Sequence, residues 1–267
     1  MNRLETCFLN LREQGKTALV PYIVTGDPGL DLTVPLMRAM VRSGANIIEL
    51  GVPFSDPMAD GPVIQRAAER ALKFDTGLED VFEIVKTFRQ RDDKTPIVLM
   101  GYLNPIEVMG YKRFIKEAVS AGVDGVLTVD LPPEEAAGFT SICSEEGLDP
   151  IYLIAPTTSP QRMKMISKFA KGFVYYVSIK GVTGAANIDI KEVRSRIDTI
   201  KEFIHLPIGV GFGIKDASTA AKVAKSSDAV VIGSAIIKLI EQNLQVPAKI
   251  VTEVSDFLAG VRKSLDK

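Results

Sequence analysis

Short, almost unbroken apolar runs alternate along the chain with longer stretches whose apolar residues fall three and four apart. Eight runs follow the first pattern: ALVPYIVTG, NIIELGVPF, PIVLMGY, GVLTVDLP, PIYLIAP, FVYYVSI, PIGVGFG and AVVIGSA. Such runs suit strands buried on both faces of a parallel sheet better than strands with one solvated side. Between them LTVPLMRAMVRSG, VFEIVKTFRQR, YKRFIKEAVSAG, EEAAGFTSICSEEG, SPQRMKMISKFAKG, KEVRSRIDTIKEFI and ASTAAKVAKSS predict amphipathic helices, several ending at glycine. Eight units in 267 residues average about 33 residues each, the repeat of an α/β fold of the (β/α)8 TIM barrel type, with an extra N-terminal helix taking up the surplus. No Pro/Gly/Ser-rich linker, charge run or low-complexity segment divides the chain, so residues 1–267 read as a single TIM-barrel domain. An open doubly wound sheet would need fewer strands and a nucleotide-type glycine loop after the first, where this chain has the turn TGDPG.

Composition narrows the function classes. With 46% hydrophobic and 24% charged residues the chain can bury a full core. Its 32 basic and 33 acidic residues leave a formal charge of -1, which offers no electrostatic footprint for nucleic acid. No apolar stretch approaches the roughly 18 residues of a membrane span, and the start MNRLETCFLNLREQGK carries acids in place of a signal-peptide core; a cytoplasmic protein is expected. Cys7 and Cys143 are too few for a disulfide framework, neither has an obvious catalytic companion, and the one histidine, His205, cannot build a histidine-rich site, so no metal is expected.

In a barrel the chemistry belongs to the loops after the C-terminal strand ends. Three clusters fall there. The first is IIELGVPFSDPMADGPVIQ, which brings Glu49 and Asp60 to one mouth. A carboxyl among apolar neighbours can exchange protons near neutrality while a second in a wetter loop stays ionised. Glu49 could equally be a strand-end carboxylate paired with a cation, Asp60 a helix N-cap before PVIQRAAERALK, and Ser55-Asp56-Pro57 a simple turn. The second cluster comprises late glycines: Gly181 and Gly184 in KGVTGAA, Gly211 and Gly213 in GVGFGIKD, and Gly233 with Ser234 in VIGSAI. Barrel phosphate sites use the loops after strands seven and eight with a short helix N-terminus, which SAIIKLIEQ can supply. The third gathers Tyr22, Met100, Tyr102, Leu127, Val129, Leu153, Tyr175, Phe212 and Ile232 at or near strand ends, as barrel core or as walls for a flat apolar substrate.

IELGVPFSDPMADG, followed by GVTG and GFGI, resembles the α subunit of tryptophan synthase, and LVPYIVTGDP, LMGYLNP, DLPPEE, IAPTTS, SIKGVTGA and VIGSAI follow in that family's order over nearly the whole chain. The resemblance implies retro-aldol cleavage of indole-3-glycerol phosphate to indole and glyceraldehyde 3-phosphate without a cofactor in this subunit. It also implies a β-subunit partner that carries pyridoxal phosphate, in an α2β2 complex. Glu49 and Asp60 stand at the family's two catalytic carboxylates, Glu49 as proton shuttle and Asp60 as the ionised group that bonds the indole N–H. By the same resemblance Gly184, Gly213, Gly233 and Ser234 hold the phosphate, Thr183 lies in a loop that closes over Asp60, and Tyr175 lies beside the substrate. Asp56, Pro57 and Pro132 match a partner-facing surface.

Two residues depart from the family pattern. Tyr22 stands where phenylalanine is expected, and Lys180 where a small polar residue is common. Lys180 also motivates a rival, since Schiff-base aldolases place a lysine on a barrel strand. Other readings are a barrel that only activates its partner, which intact Glu49 and Asp60 oppose, and a lyase that releases indole with no partner.

Overall fold

The computed structural model describes residues 2–177, 189–211 and 213–267. Its strands are β1 (Ala18–Val24), β2 (Ile48–Gly51), β3 (Ile97–Gly101), β4 (Gly125–Thr128), β5 (Asp149–Ile154), β6 (Val174–Val177), β7 (Ile208–Gly211) and β8 (Ala229–Ile232). They pair in parallel in chain order, and β8 returns to β1 with Ala18 opposite Ala229, closing the barrel. Among the described residues the helices are α1 (Arg3–Glu13), α2 (Leu30–Arg42), α3 (Pro62–Leu72), α4 (Leu78–Arg89), α5 (Leu103–Met109) and α6 (Tyr111–Ala121). The series continues with α7 (Ala137–Glu146), α8 (Pro160–Phe169), α9 (Ile190–Lys201), α10 (Ala217–Ala224), α11 (Ser234–Gln242) and α12 (Pro247–Leu265). This is the (β/α)8 barrel that the hydrophobic pattern predicts, with the extra N-terminal helix that the surplus length predicts.

Side chains alternate across each strand. Ala18, Val20, Val98, Leu127, Ile151, Phe173, Ala229 and Val231 meet inside the barrel, where Leu4, Phe8 and Leu11 of α1 plug the end opposite the mouth. Leu19, Ile23, Ile48, Leu50 and Leu99 pack outward under the helices. Both faces are therefore apolar, which is why the strands read as continuous runs.

Helix ends follow the predicted glycines in part. α6 and α7 stop at Gly122 and Gly147, with φ of 97° and 80° in the left-handed region. α8 instead leaves through Ala170 in extended backbone, and the left-handed turn into β6 comes at Gly172.

Beyond α1, seven of the described helices (α2, α4, α6, α7, α8, α9 and α10) connect one strand to the next, and α12 follows β8 at the end of the chain. The remaining three, α3, α5 and α11, are inserted directly after β2, β3 and β8, at the mouth. The apolar pattern marked α3 and α11 but not α5, whose first N–H, that of Leu103, donates to the Asp130 carboxylate at 2.8 Å. No described helix is long and apolar enough to cross a membrane.

The far end is tied by charge. Asp124, buried ahead of β4, accepts from Arg89 at 2.8 Å, from Arg3 of α1 at 3.0 Å and from the Ile97 N–H at 2.8 Å. Arg89 also donates to the Gly122 and Thr95 carbonyls. Removing one partner of a buried pair leaves the other charge uncompensated. Asp124→Ala is therefore expected to lower unfolding free energy by about 3–5 kcal/mol in denaturant titration, while Arg113→Ala, at an exposed ion pair, should leave the unfolding midpoint nearly unchanged.

Candidate active site

Glu49 projects from β2 between Tyr22 on β1 and Val98 on β3, its partners in strand register. It is 2% exposed, its Oε1 has no hydrogen-bond partner, and no described cation pairs with it. The cation-paired alternative is thereby removed. Burial first, and Asp60 second, push its carboxyl up to about 8. A buried group this poorly satisfied is costly, and it stays protonated at neutral pH.

Asp60 belongs to the loop between β2 and α3. Its N–H donates to the Pro57 carbonyl at 3.0 Å, and the Gln65 side-chain amide donates to the Asp60 backbone carbonyl at 2.9 Å. The Tyr102 hydroxyl donates to Asp60 Oδ2 at 3.0 Å while accepting from the Ala59 N–H at 3.0 Å. The helix-cap alternative fails, because the N-cap of α3 is Gly61 and Pro62 opens the helix. With its carboxylate free of the helix end, Asp60 is available to the mouth. Burial raises its pKa to about 6 against the opposing Tyr102 bond, so it is mostly ionised above neutrality. One carboxyl is held neutral and its neighbour charged, the arrangement that separates an acid from an electrostatic stabiliser.

Apolar walls surround the pair. Met100, Leu127, Val129, Leu153 and Tyr175 all belong to the inner cluster, and Phe54 stacks on Tyr102 with ring centroids 5.2 Å apart. Tyr22 and Tyr175 are buried phenols whose pKa values rise through burial and through the two carboxylates. Each lies over a glycine: a Cβ at Gly51 would collide with the Tyr22 hydroxyl, and one at Gly211 with that of Tyr175. Ile232 needs correction. Its side chain sits in the outer layer under the helices, and strand alternation turns Val231 inward in its place. The period-two alternation of β8 was the signal that could have found Val231.

On the other side of the mouth, Gly213 follows β7 with φ of 77°, and Gly233 is the N-cap of α11 with Ser234 its first residue. The first helical bond there runs from the Ile237 N–H to the Gly233 carbonyl, so the N–H groups of residues 234–236 point out of the helix end. Gly233 also packs on Tyr22, whose Cδ1 lies 3.2 Å from where a Cβ would stand. Tyr22 thus joins the apolar wall to the helix end. Thr183, Gly184, Gly181, Lys180 and Phe212 lie outside the described residues.

The outer rim carries Asp56, exposed, with Pro57 and Pro132 half-buried. Sequence reasoning overlooked two neighbours, Met58 in the same loop and Val108 on α5, which are 79% and 83% exposed. Their signal was an apolar residue in a segment with no core face left to fill. No described group of histidine, cysteine and acidic residues could hold a metal ion.

A family model described as tryptophan synthase alpha chain matches residues 8–265. Tryptophan synthase alpha chains of Nitrosococcus oceani and Thioalkalivibrio sulfidiphilus are each 55% identical to this chain over 266 residues, covering 100% of it and 98% and 100% of their own lengths. The solved tryptophan synthase subunit alpha of Legionella pneumophila superimposes with a TM-score of 0.93 at 44% identity, covering 100% of this chain and 99% of its own. A structure titled for the tryptophan synthase a2b2 complex of Pyrococcus furiosus matches at 38% identity and a TM-score of 0.84, over 92% of this chain and 98% of its own.

Because Glu49 titrates higher when folded than when unfolded, its ionisation opposes folding, and stability is lost as pH climbs from 4.5 towards about 8. Glu49→Gln cannot ionise. In thermal unfolding at pH 8 it is expected to be more stable than the unaltered chain by on the order of 3 kcal/mol, with the gain vanishing towards pH 4.

Proposed function

From the premise that the chain belongs to the tryptophan synthase alpha chain family, a carbon–carbon lyase whose reaction cleaves indole-3-glycerol phosphate, we propose that Glu49 and Asp60 perform that cleavage. The observation that carries this assignment is geometric: Glu49 is buried on β2 with Oε1 unpartnered, while Asp60, on the loop that follows, is held by the Tyr102 hydroxyl. Protonated Glu49 donates to ring carbon C3 of the indole, which converts the ring to an indolenine able to accept the bonding electrons. The bond between C3 and the glycerol chain then breaks towards the ring. The adjacent hydroxyl becomes the aldehyde and gives its proton to the Glu49 carboxylate, which restores the acid. Each transfer is general acid–base catalysis worth about 10² to 10⁴ in rate.

Asp60, ionised and oriented by Tyr102, accepts the indole N–H and stabilises the positive charge that develops on nitrogen. Tyr22, Met100, Leu127, Val129, Leu153, Tyr175 and the inward Val231 enclose the flat ring. Gly213, Gly233 and Ser234 receive the phosphate at the start of α11, where free N–H groups and the helix dipole favour an anion. Thr183 and Gly184 are assigned by resemblance, and Phe212 by its place near the end of β7 in the sequence.

The chain acts as one domain over residues 1–267, and the rim of Asp56, Pro57, Met58, Val108 and Pro132 docks a tryptophan synthase beta subunit in an α2β2 complex. Exposed apolar side chains this large, set in a polar rim, favour such a surface. The reaction closes on two carboxyl groups, so this chain needs no cofactor, and pyridoxal phosphate belongs to the beta partner. The complex works in the cytoplasm.

Indole release from indole-3-glycerol phosphate tests the assignment. Glu49→Gln and Asp60→Asn are each expected to lower turnover by at least about 10²-fold, and a matched beta subunit to raise that of the unaltered chain. No indole from the folded, partner-bound chain would overturn it. kcat/KM should fall about tenfold per pH unit above pH 8 as Glu49 loses its proton. Ser234→Asp adds a charge that suits a helix start but repels phosphate, so KM is expected to rise at least about tenfold with no loss of melting temperature.

A further inference from the structure

The two groups that the proposed reaction needs in register, Asp60 and the N-terminus of α11, lie on separate insertions into the barrel. Asp60 stands two residues before α3, and α11 begins 174 positions after it, at Ser234. The helices pack on each other and on β1. Between them runs a chain of ion pairs. Asp27, in the loop after β1 with its side chain 0% exposed, receives Arg70 of α3 in a two-pronged pair at 2.7 and 2.9 Å. Arg70 also donates to Glu241, in the last turn of α11, at 3.2 Å. Arg66, one turn earlier on α3, grips both oxygens of Glu241 at 2.6 and 2.8 Å.

We propose that Arg70 is a positioning residue for the cleavage: clamped between Asp27 and Glu241, it sets the helix that follows Asp60 against the helix whose N-terminus receives the phosphate. This rests on the phosphate site assigned above. A buried ion pair contributes little net stability compared with apolar groups of the same shape. What a planar, forked donor supplies is direction, and lysine cannot reproduce it because its ammonium is a single point of charge. The same guanidinium separates two carboxylates that otherwise repel each other across the junction of the β1 loop and α11. Without it, that repulsion acts on the helix that would hold the phosphate.

Glu241→Gln, Arg70→Lys and Arg70→Gln, each with the beta subunit present, test the proposal. Glu241→Gln loosens α11 alone, so KM for indole-3-glycerol phosphate and the inhibition constant of glycerol 3-phosphate should rise together by about fivefold, with kcat within about twofold of the unaltered chain. Arg70→Lys and Arg70→Gln release α3 as well. Their kcat should fall by about tenfold in addition, and the lysine should not rescue it. Arg113→Gln, at an exposed pair on α6, should change none of these constants. If the Arg70 and Glu241 variants lower the melting temperature but keep KM, inhibition constant and kcat within about twofold, the cluster is structural and the proposal is overturned. Should an Arg70 variant fail to fold, Glu241→Gln decides the matter. Failure of the phosphate site itself would appear separately, as an unchanged KM in Ser234→Asp.

Discussion

Closure of the β8 ladder onto β1 is the constraint from which the rest follows. With Ala18 opposite Ala229 and eight parallel strands in chain order, every strand's inward positions are fixed and all the C-terminal ends come to one rim. Glu49 is inward because Tyr22 and Val98 flank it in register, and Val231 is inward because Ile232 is not. α1 plugs the opposite end with Leu4, Phe8 and Leu11, so among the described residues that end of the barrel is filled. A slip of one residue in any strand would exchange its inner and outer sets, and the apolar layers on both sides hold the register against that.

That geometry places an acidic side chain where nothing solvates it. Glu49 lacks a partner for Oε1 and is pushed up by burial, whereas Asp60, on a loop and tied to Tyr102, is pushed up less. Burial raises both, the strand inside the barrel excluding water more fully than the loop; the Asp60 charge adds to the rise at Glu49, and the Tyr102 hydroxyl holds Asp60 down. Phenols at Tyr22 and Tyr175 extend the dry wall over Gly51 and Gly211, where only hydrogen fits. Holding an unpartnered carboxyl in this dry wall comes at some expense in stability.

The barrel supplies the floor and walls, and insertions supply the rim. α3, α5 and α11 each follow a strand directly and depart from the simple strand-helix repeat. α3 carries the loop of Asp60, α5 begins beside Tyr102 and presents Val108 outward, and α11 offers a helix start beside Tyr22. Asp27, Arg70 and Glu241 join two of these insertions by direct charge, so parts distant in sequence share one frame.

Periodicity determined the eight strands and most connecting helices, because burial on two faces and on one face leave different spacings of apolar residues; with chain length it gave the fold class and left a surplus for the N-terminal helix. It also put Glu49, Asp60, Gly213 and Gly233 at one mouth, since barrel topology sends every strand end there. The family resemblance rested on local words such as IELGVPFSDPMADG, which need no tertiary information. The remainder was decided by packing across the sequence. Whether Glu49 meets a cation, whether Asp60 caps a helix, which of Val231 and Ile232 faces inward, and that Arg70 bridges Asp27 to Glu241 all depend on neighbours far apart in the chain. A residue type and its spacing record which chemistry is available; solvent exclusion and three-dimensional proximity, which set its charge and its partners, exist only once the barrel has closed.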